Sequence, residues 1–152
     1  MSRQVVLVLC TGNSCRSHMA QGILQSIMGD TIEVLSAGTK PAGYVHPMAV
    51  QVMKEIDIDI SDHKSRHLDE YLDRHIDAVV TVCGEANENC PVFPGNVKRY
   101  HWGFADPAKA TGTEQERLAQ FRKVRDQIRI VMDTCTIGRL ERGEIEGALS
   151  AP

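Results

Sequence analysis

The chain has 152 residues, 42% of them hydrophobic and 24% charged, with a formal net charge of −3 at pH 7. That length fits one domain able to bury a core without disulfide staples. The slightly acidic balance excludes the broad basic surface that nucleic-acid binding demands, so an anionic substrate needs a local positive site. The apolar run Val5-Val6-Leu7-Val8-Leu9 is too short to span a membrane, and the N-terminus lacks signal-peptide anatomy. The expected compartment is the cytoplasm, with no membrane and no nucleic-acid partner. Five cysteines in a reducing compartment point to chemistry or burial more than to staples.

Residues 3–9 read as a buried parallel strand, short, branched and apolar. A loop, Cys10 to Ser17, follows. Met19, Ala20, Ile23, Leu24 and Ile27 then fall at helical spacing up to Gly29. Residues 31–36 read as a second strand, and His46-Pro47 opens a helix with Ala49, Val50 and Met53 on one face. Asp57 and Asp59 alternate with Ile56, Ile58 and Ile60 as a helix exit and short extended segment, not an acid pair. A short helix is predicted around 66–74. Ile76 to Val82 forms a buried strand ending at Cys83, and 97–101 a fourth strand. Residues 113–135 form a long amphipathic helix with Leu118, Phe121, Val124, Ile128 and Val131 inward. This order predicts a three-layer α/β sandwich with a mainly parallel four-stranded central sheet. Residues 1–137 read as a single catalytic domain and 138–152 as a polar tail. In such folds ligands sit beyond the carboxyl ends of the strands. Two strands end at Cys10 and Cys83, so both thiols are expected on the same edge.

The segment Cys10-Thr11-Gly12-Asn13-Ser14-Cys15-Arg16-Ser17 puts a cysteine at a strand end and an arginine six positions later, at a helix start. Inward-turned backbone N–H groups and the positive helix end make an anion cradle there. Gly12 and Asn13 tolerate unusual dihedrals. Arg16 can grip a tetrahedral oxyanion with two charge-assisted bonds. The same field favours a thiolate at Cys10, to which Ser17 can donate. The bland alternative is a strand-to-helix turn with buried cysteines. Further on, Asp106 before Pro107 is either a general acid or a turn-initiating cap. Cys83 and Cys90 are too widely spaced for a typical zinc pair, and no second pair exists; no metal is expected. Cys135 reads as a buried, inert cysteine, and His63 and His67, in a loop-like stretch, as solvated or structural residues and not catalytic ones.

The Cys10–Ser17 loop resembles that of the low-molecular-weight protein tyrosine phosphatases and of the arsenate reductases built on the same fold, over residues 1 to about 135. In both families the residue matching Cys10 is the nucleophile, the one matching Arg16 binds the oxyanion, and an Asp-Pro such as Asp106-Pro107 supplies the general acid. The phosphatases follow that acid with aromatic residues; Ala108-Lys109-Ala110 here argues for a small inorganic oxyanion. The flanks Val80-Thr81-Val82-Cys83 and Asn89-Cys90-Pro91, and the run from Asn96-Val97-Lys98 to His101-Trp102-Gly103-Phe104, resemble the thioredoxin-coupled arsenate reductases. That resemblance implies arsenate as substrate, Thr11, Gly12, Asn13, Ser14, Cys15, Arg16 and Ser17 as its seat, and a relay through Cys10–Cys83 and Cys83–Cys90 disulfides. It implies thioredoxin as reductant, with glutathione and glutaredoxin the alternative, no cofactor, and a monomer. A tyrosine phosphatase of this fold is the runner-up, and a redox sensor using the 83/90 pair a third reading. The positions matching a potassium site found in some reductases hold Asn13, Gln21, Ser36 and Arg66. Exchange of carboxylates for Gln21 and Arg66 disfavours a bound cation, so no functional potassium site is expected.

Overall fold

The computed structural model describes residues 3–83 and 97–133. Among these residues are four strands, β1 (Gln4–Cys10), β2 (Ile32–Gly38), β3 (Ala78–Thr81) and β4 (Lys98–His101), and three α-helices, α1 (Arg16–Met28), α2 (Pro47–Lys54) and α3 (Glu114–Val131). The sheet runs β2-β1-β3-β4 and every pairing is parallel. The expected fold class is therefore the one formed.

Strand position explains strand composition. The central strands β1 and β3 are apolar almost throughout: Val5 to Cys10 and Ala78 to Thr81 are all buried, as a parallel strand covered on both faces requires. The edge strand β2 alternates buried and half-buried residues from Ile32 to Leu35 before its buried end at Ser36–Gly38, and β4 buries Tyr100 while Lys98 and Arg99 are exposed. Helix α1 packs on β1, β2 and α3, and α2 packs on α3. The long helix starts on a capping box between Thr113 and Glu116, which satisfies two otherwise orphaned N–H groups. It buries Leu118, Phe121, Val124, Ile128 and Val131. As expected, His46 caps α2 and Pro47 occupies its first turn.

Two expectations need correction. Residues 66–74 do not form an α-helix; only a 3₁₀ turn, Leu68–Tyr71, closes there, capped by His67. Four residues with one buried apolar side chain have too little to bury to extend further. Ile27 keeps helical spacing with the core residues of α1 but is 41% exposed, because it lies at the edge of the buried stripe in the last turn. No helix among the described residues is long and apolar enough to cross a membrane. The expected tail, together with Cys135 and Cys90, lies outside the described residues.

Candidate active site

The register fixes where the chemistry lies. In the sheet Leu9 pairs with Ala37 and Thr81, and Cys10 with Gly38. The carboxyl ends of β1, β2 and β3 therefore lie level, and the loop Thr11–Cys15 leaves β1 between its neighbours. The end of β2 presses on this loop: a Cβ at Gly38 would stand 2.5 Å from the Thr11 carbonyl oxygen. Only glycine fits there.

The loop is held from outside by its carbonyl groups. The N–H groups of Thr39, Lys40, Ala42 and His46 donate to the carbonyls of Cys10, Thr11, Gly12 and Ser14 at 3.3, 2.9, 2.8 and 2.9 Å. Ser65 Oγ adds a second bond to Gly12 O at 3.3 Å. His18 Nε2 bonds the Asn13 carbonyl at 3.0 Å, and the Met19 N–H takes that of Cys15 at 3.0 Å. A planar trans peptide carries C=O and N–H on opposite sides, and no described peptide bond is cis. Carbonyls tied outward therefore turn the following N–H groups inward, toward the N-terminus of α1. This is the arrangement that attracts a tetrahedral oxyanion. Asn13 sits at φ 45°, the left-handed conformation expected of this loop. Gly12 does not adopt it, so of the two residues singled out for unusual dihedrals only Asn13 uses one.

Two of the inward N–H groups meet sulfur. The Asn13 N–H donates to Cys10 Sγ at 3.1 Å, and the Cys10 thiol donates to Ser17 Oγ at 3.0 Å. Asn13 Nδ2 in turn donates to that hydroxyl at 2.8 Å. The Thr11 N–H donates to Cys83 Sγ at 3.2 Å, and Thr11 Oγ1 lies 3.1 Å from the same sulfur. Cys10 and Cys83 thus flank Thr11 at one sheet edge, as their strand ends led one to expect. Cys15 is different: burial pushes its thiol up to about 12, so it stays neutral, with its sulfur 3.5 Å from Ser14 Oγ.

Asp106 is delivered by the chain leaving β4. Trp102 and Phe104 bury their rings and donate N–H groups to the carbonyls of Thr81 and Val82 at 2.9 and 3.1 Å, which lays this segment beside the end of β3. Arg16 Nη1 then donates to Phe104 O at 3.1 Å, and Nη2 lies 3.6 Å from Asp106 Oδ2. The other carboxylate oxygen accepts the Ala108 N–H at 3.0 Å and caps the 3₁₀ turn Pro107–Lys109. Asp106 thus serves as the turn cap that the sequence allowed, and it also stands beside the arginine of the loop. Among the described residues, no aromatic side chain lines the cavity of about 430 Å³ between this turn and α3.

The sequence reading missed His18. It is fully buried beneath the loop, with Nδ1 3.1 Å from His63 Nδ1. Burial, then the neighbouring imidazole, lowers it to about 4, and burial also lowers His63. No spacing rule links positions 18 and 63, so nothing in the sequence paired them. Nearby, Asn13 Oδ1 accepts the Arg66 N–H at 2.7 Å, Ser36 Oγ donates to Gln21 Oε1 at 2.7 Å, and the Arg66 guanidinium turns away to Glu70 at 3.1 Å. Among the described residues no group of three or more His, Cys, Asp or Glu converges as metal ligands would.

A strand-loop-helix oxyanion cradle with a cysteine at its base, on a parallel four-stranded sheet, defines the class. The chain belongs to the low molecular weight phosphotyrosine protein phosphatase family, whose signature matches residues 5–136. Within that family it is 52% identical over 128 residues to an arsenate reductase of Halalkalibacterium halodurans, covering 84% of this chain and 91% of the relative. It is 49% identical, with the same coverage, to an arsenate reductase of Bacillus subtilis. Among solved structures it resembles a thioredoxin-dependent arsenate reductase of Corynebacterium glutamicum (TM-score 0.64, 27% identity, 90% of this chain and 63% of that one). It also resembles a low molecular weight protein tyrosine phosphatase of T. tengcongensis (TM-score 0.68, 27% identity, 86% and 95%).

Proposed function

We propose that this protein reduces arsenate to arsenite through a relay of Cys10, Cys83 and Cys90. The observation that carries this reading is Cys83 Sγ seated on Thr11, 3.2 Å from its N–H and 3.1 Å from its hydroxyl oxygen. Hydrolysis of a phosphoryl-cysteine needs water and a general base to take its proton, not a second thiol at the rim of the loop. Identity of about 50% to arsenate reductases over most of the chain supports it.

Arsenate binds the inward N–H groups of residues 11–17, with Arg16 gripping its equatorial oxygens. The Cys10 thiolate attacks arsenic. One arsenate oxygen leaves as water, taking a proton from Asp106, and a Cys10–S–As(V) bond remains. The Cys83 thiolate then attacks Cys10 Sγ. The S–As electron pair passes to arsenic, which leaves as arsenite, As(III), and a Cys10–Cys83 disulfide forms. Cys90, which enters on its sequence position alone, attacks Cys83 Sγ. That step returns the Cys10 thiolate and leaves a Cys83–Cys90 disulfide for an external dithiol. Thioredoxin is the dithiol we assign, supported by the thioredoxin-dependent structural relative; glutathione with glutaredoxin is the alternative. The reaction uses no cofactor, and we place it in a monomer in the cytoplasm.

The second reading is a phosphatase, favoured by the family itself. The same loop will hold phosphate, so weak hydrolysis of aryl phosphates is expected beside reduction. Ala108-Lys109-Ala110 after Asp106, in place of aromatic residues, disfavours a dedicated aryl pocket. Arsenate-dependent NADPH consumption with thioredoxin and its reductase tests the proposal. Turnover is expected in the wild type and in none of Cys10→Ser, Cys83→Ser and Cys90→Ser. Turnover persisting in Cys90→Ser would remove the relay. No reduction with either reductant system, beside vigorous aryl phosphate hydrolysis, would leave a phosphatase.

A further inference from the structure

Each loop carbonyl from Cys10 to Cys15 is tied by a donor outside the cradle, and all these donors but one are backbone N–H groups or a hydroxyl. The exception is the imidazole on the Asn13 carbonyl. This carbonyl belongs to the one described loop residue in the left-handed conformation. Rotation of the Asn13–Ser14 peptide plane would exchange its N–H for its C=O at the oxyanion and place a negative dipole where the substrate charge sits.

A carbonyl only accepts, so His18 Nε2 carries the hydrogen. In neutral His18 the other nitrogen, Nδ1, is then an acceptor. The contact of 3.1 Å to His63 Nδ1 is consequently a bond donated by His63. Ser36 Oγ, 3.5 Å from His18 Nδ1, gives its hydrogen to Gln21 at 2.7 Å and does not compete. One chain of donors follows: His63 Nδ1–H to His18 Nδ1, and His18 Nε2–H to the Asn13 carbonyl. His63 fixes the tautomer, and the tautomer fixes the peptide plane. The His18 ring faces His63 from the segment after α2, Gln21 from its own helix, Ser36 from β2 and the carbonyl from the loop. His63 is accompanied by Asp59, Asp62, Lys64 and Arg66.

We propose that His18 is a positioning residue for the oxyanion loop. Oriented by His63, it holds the Asn13–Ser14 peptide with the Ser14 N–H directed at the substrate. The inference rests on the reading of this loop as an oxyanion site, and it touches neither the thiol relay nor the reductant.

The probe is inorganic phosphate, which needs no reductant, titrated into the reduced full-length protein by 1H–15N NMR. The wild type is expected to bind at the loop, with shifts at Asn13 to Ser17. His18→Leu removes the donor and is expected to weaken phosphate binding roughly tenfold, the worth of one lost charge-assisted bond. His18→Gln keeps an N–H near the Nε2 position and is expected to stay within about threefold of wild type, a partial loss of one bond. Arsenate KM should rise in parallel in His18→Leu, with kcat less affected. Equal phosphate affinity in His18→Leu and wild type would overturn the positioning role and leave the oxyanion site standing. No phosphate binding to the wild type would remove the site reading, and the proposal with it. Long-range 1H–15N correlation on the wild-type histidines gives an answer independent of folding in the variants. His18 must show the Nε2–H tautomer and His63 the Nδ1–H tautomer near pH 7.5; an Nδ1–H tautomer at His18 would overturn the proposal.

Discussion

The anion loop and the acid turn meet at Arg16, yet they are built in opposite ways. Every carbonyl from Cys10 to Cys15 is bonded to a neighbour, and glycine at position 38 lets β2 press against the loop. Asp106, in contrast, rests on the Ala108 N–H and on an ion pair of 3.6 Å with Arg16, its side chain 24% exposed. The loop is a rigid receptor whose geometry many contacts over-determine. The Asp106 side chain is held by few contacts and partly open to solvent. Substitutions in the first should disturb fold and activity together, and in the second activity alone.

The sharpest separation is expected at Asp106. Asp106→Asn keeps an acceptor for the Ala108 N–H and removes the transferable proton. Turnover should fall by roughly 10²- to 10⁴-fold, the usual worth of a general acid, while the melting temperature stays within a degree or two, as for surface changes. A matching loss of stability would show that the turn is part of the frame.

Acid should strain the loop side through His18. Its folded value of about 4 lies below the ordinary 6.5, so as pH falls the unfolded chain takes up this proton first. Stability therefore declines as pH drops from 6.5 to 4, by about 3 kcal/mol from this group, and levels off below. Denaturant melts of the wild type and His18→Gln across that range give the difference, which should close in the variant. Parallel curves would show that His18 is not buried neutral.

Gly38→Ala strikes the loop from β2. A methyl 2.5 Å from the Thr11 oxygen forces backbone apart. The expected cost is about 1–3 kcal/mol of stability, typical of overpacking, with weaker phosphate binding measured by titration. Unchanged binding would show that the loop yields without losing its shape. The smallest expected effect is ionic: replacing sodium by potassium at constant ionic strength should leave the melting temperature unmoved. A rise specific to potassium would contradict the expectation drawn from Gln21 and Arg66.

The same contrast marks how much the sequence showed. The apolar stretches within 3–9 and 76–82, Val5 to Leu9 and Ala78 to Val80, announced central parallel strands, and Cys10 to Ser17 announced the loop, because both signals are local. Asp106 was legible only as an Asp-Pro with two meanings, since its approach to Arg16 depends on how Trp102 and Phe104 pack. The clamp of the loop by Thr39 to His46, the fit at Gly38 and the His18–His63 pair left no trace in the sequence, because each joins positions far apart in the chain. Ile27 kept the helical period but not the burial, for periodicity gives a face and not its edge.

The central claim is that Cys83 attacks the sulfur of Cys10. Its most direct test is a single turnover of reduced Cys90→Ser protein with stoichiometric arsenate and no external reductant, followed by peptide mapping under acid quench. About one equivalent of arsenite, set by the reaction stoichiometry, and a Cys10–Cys83 disulfide are expected. Arsenite released with Cys83 still reduced, or with Cys10 joined to Cys15, would contradict that claim.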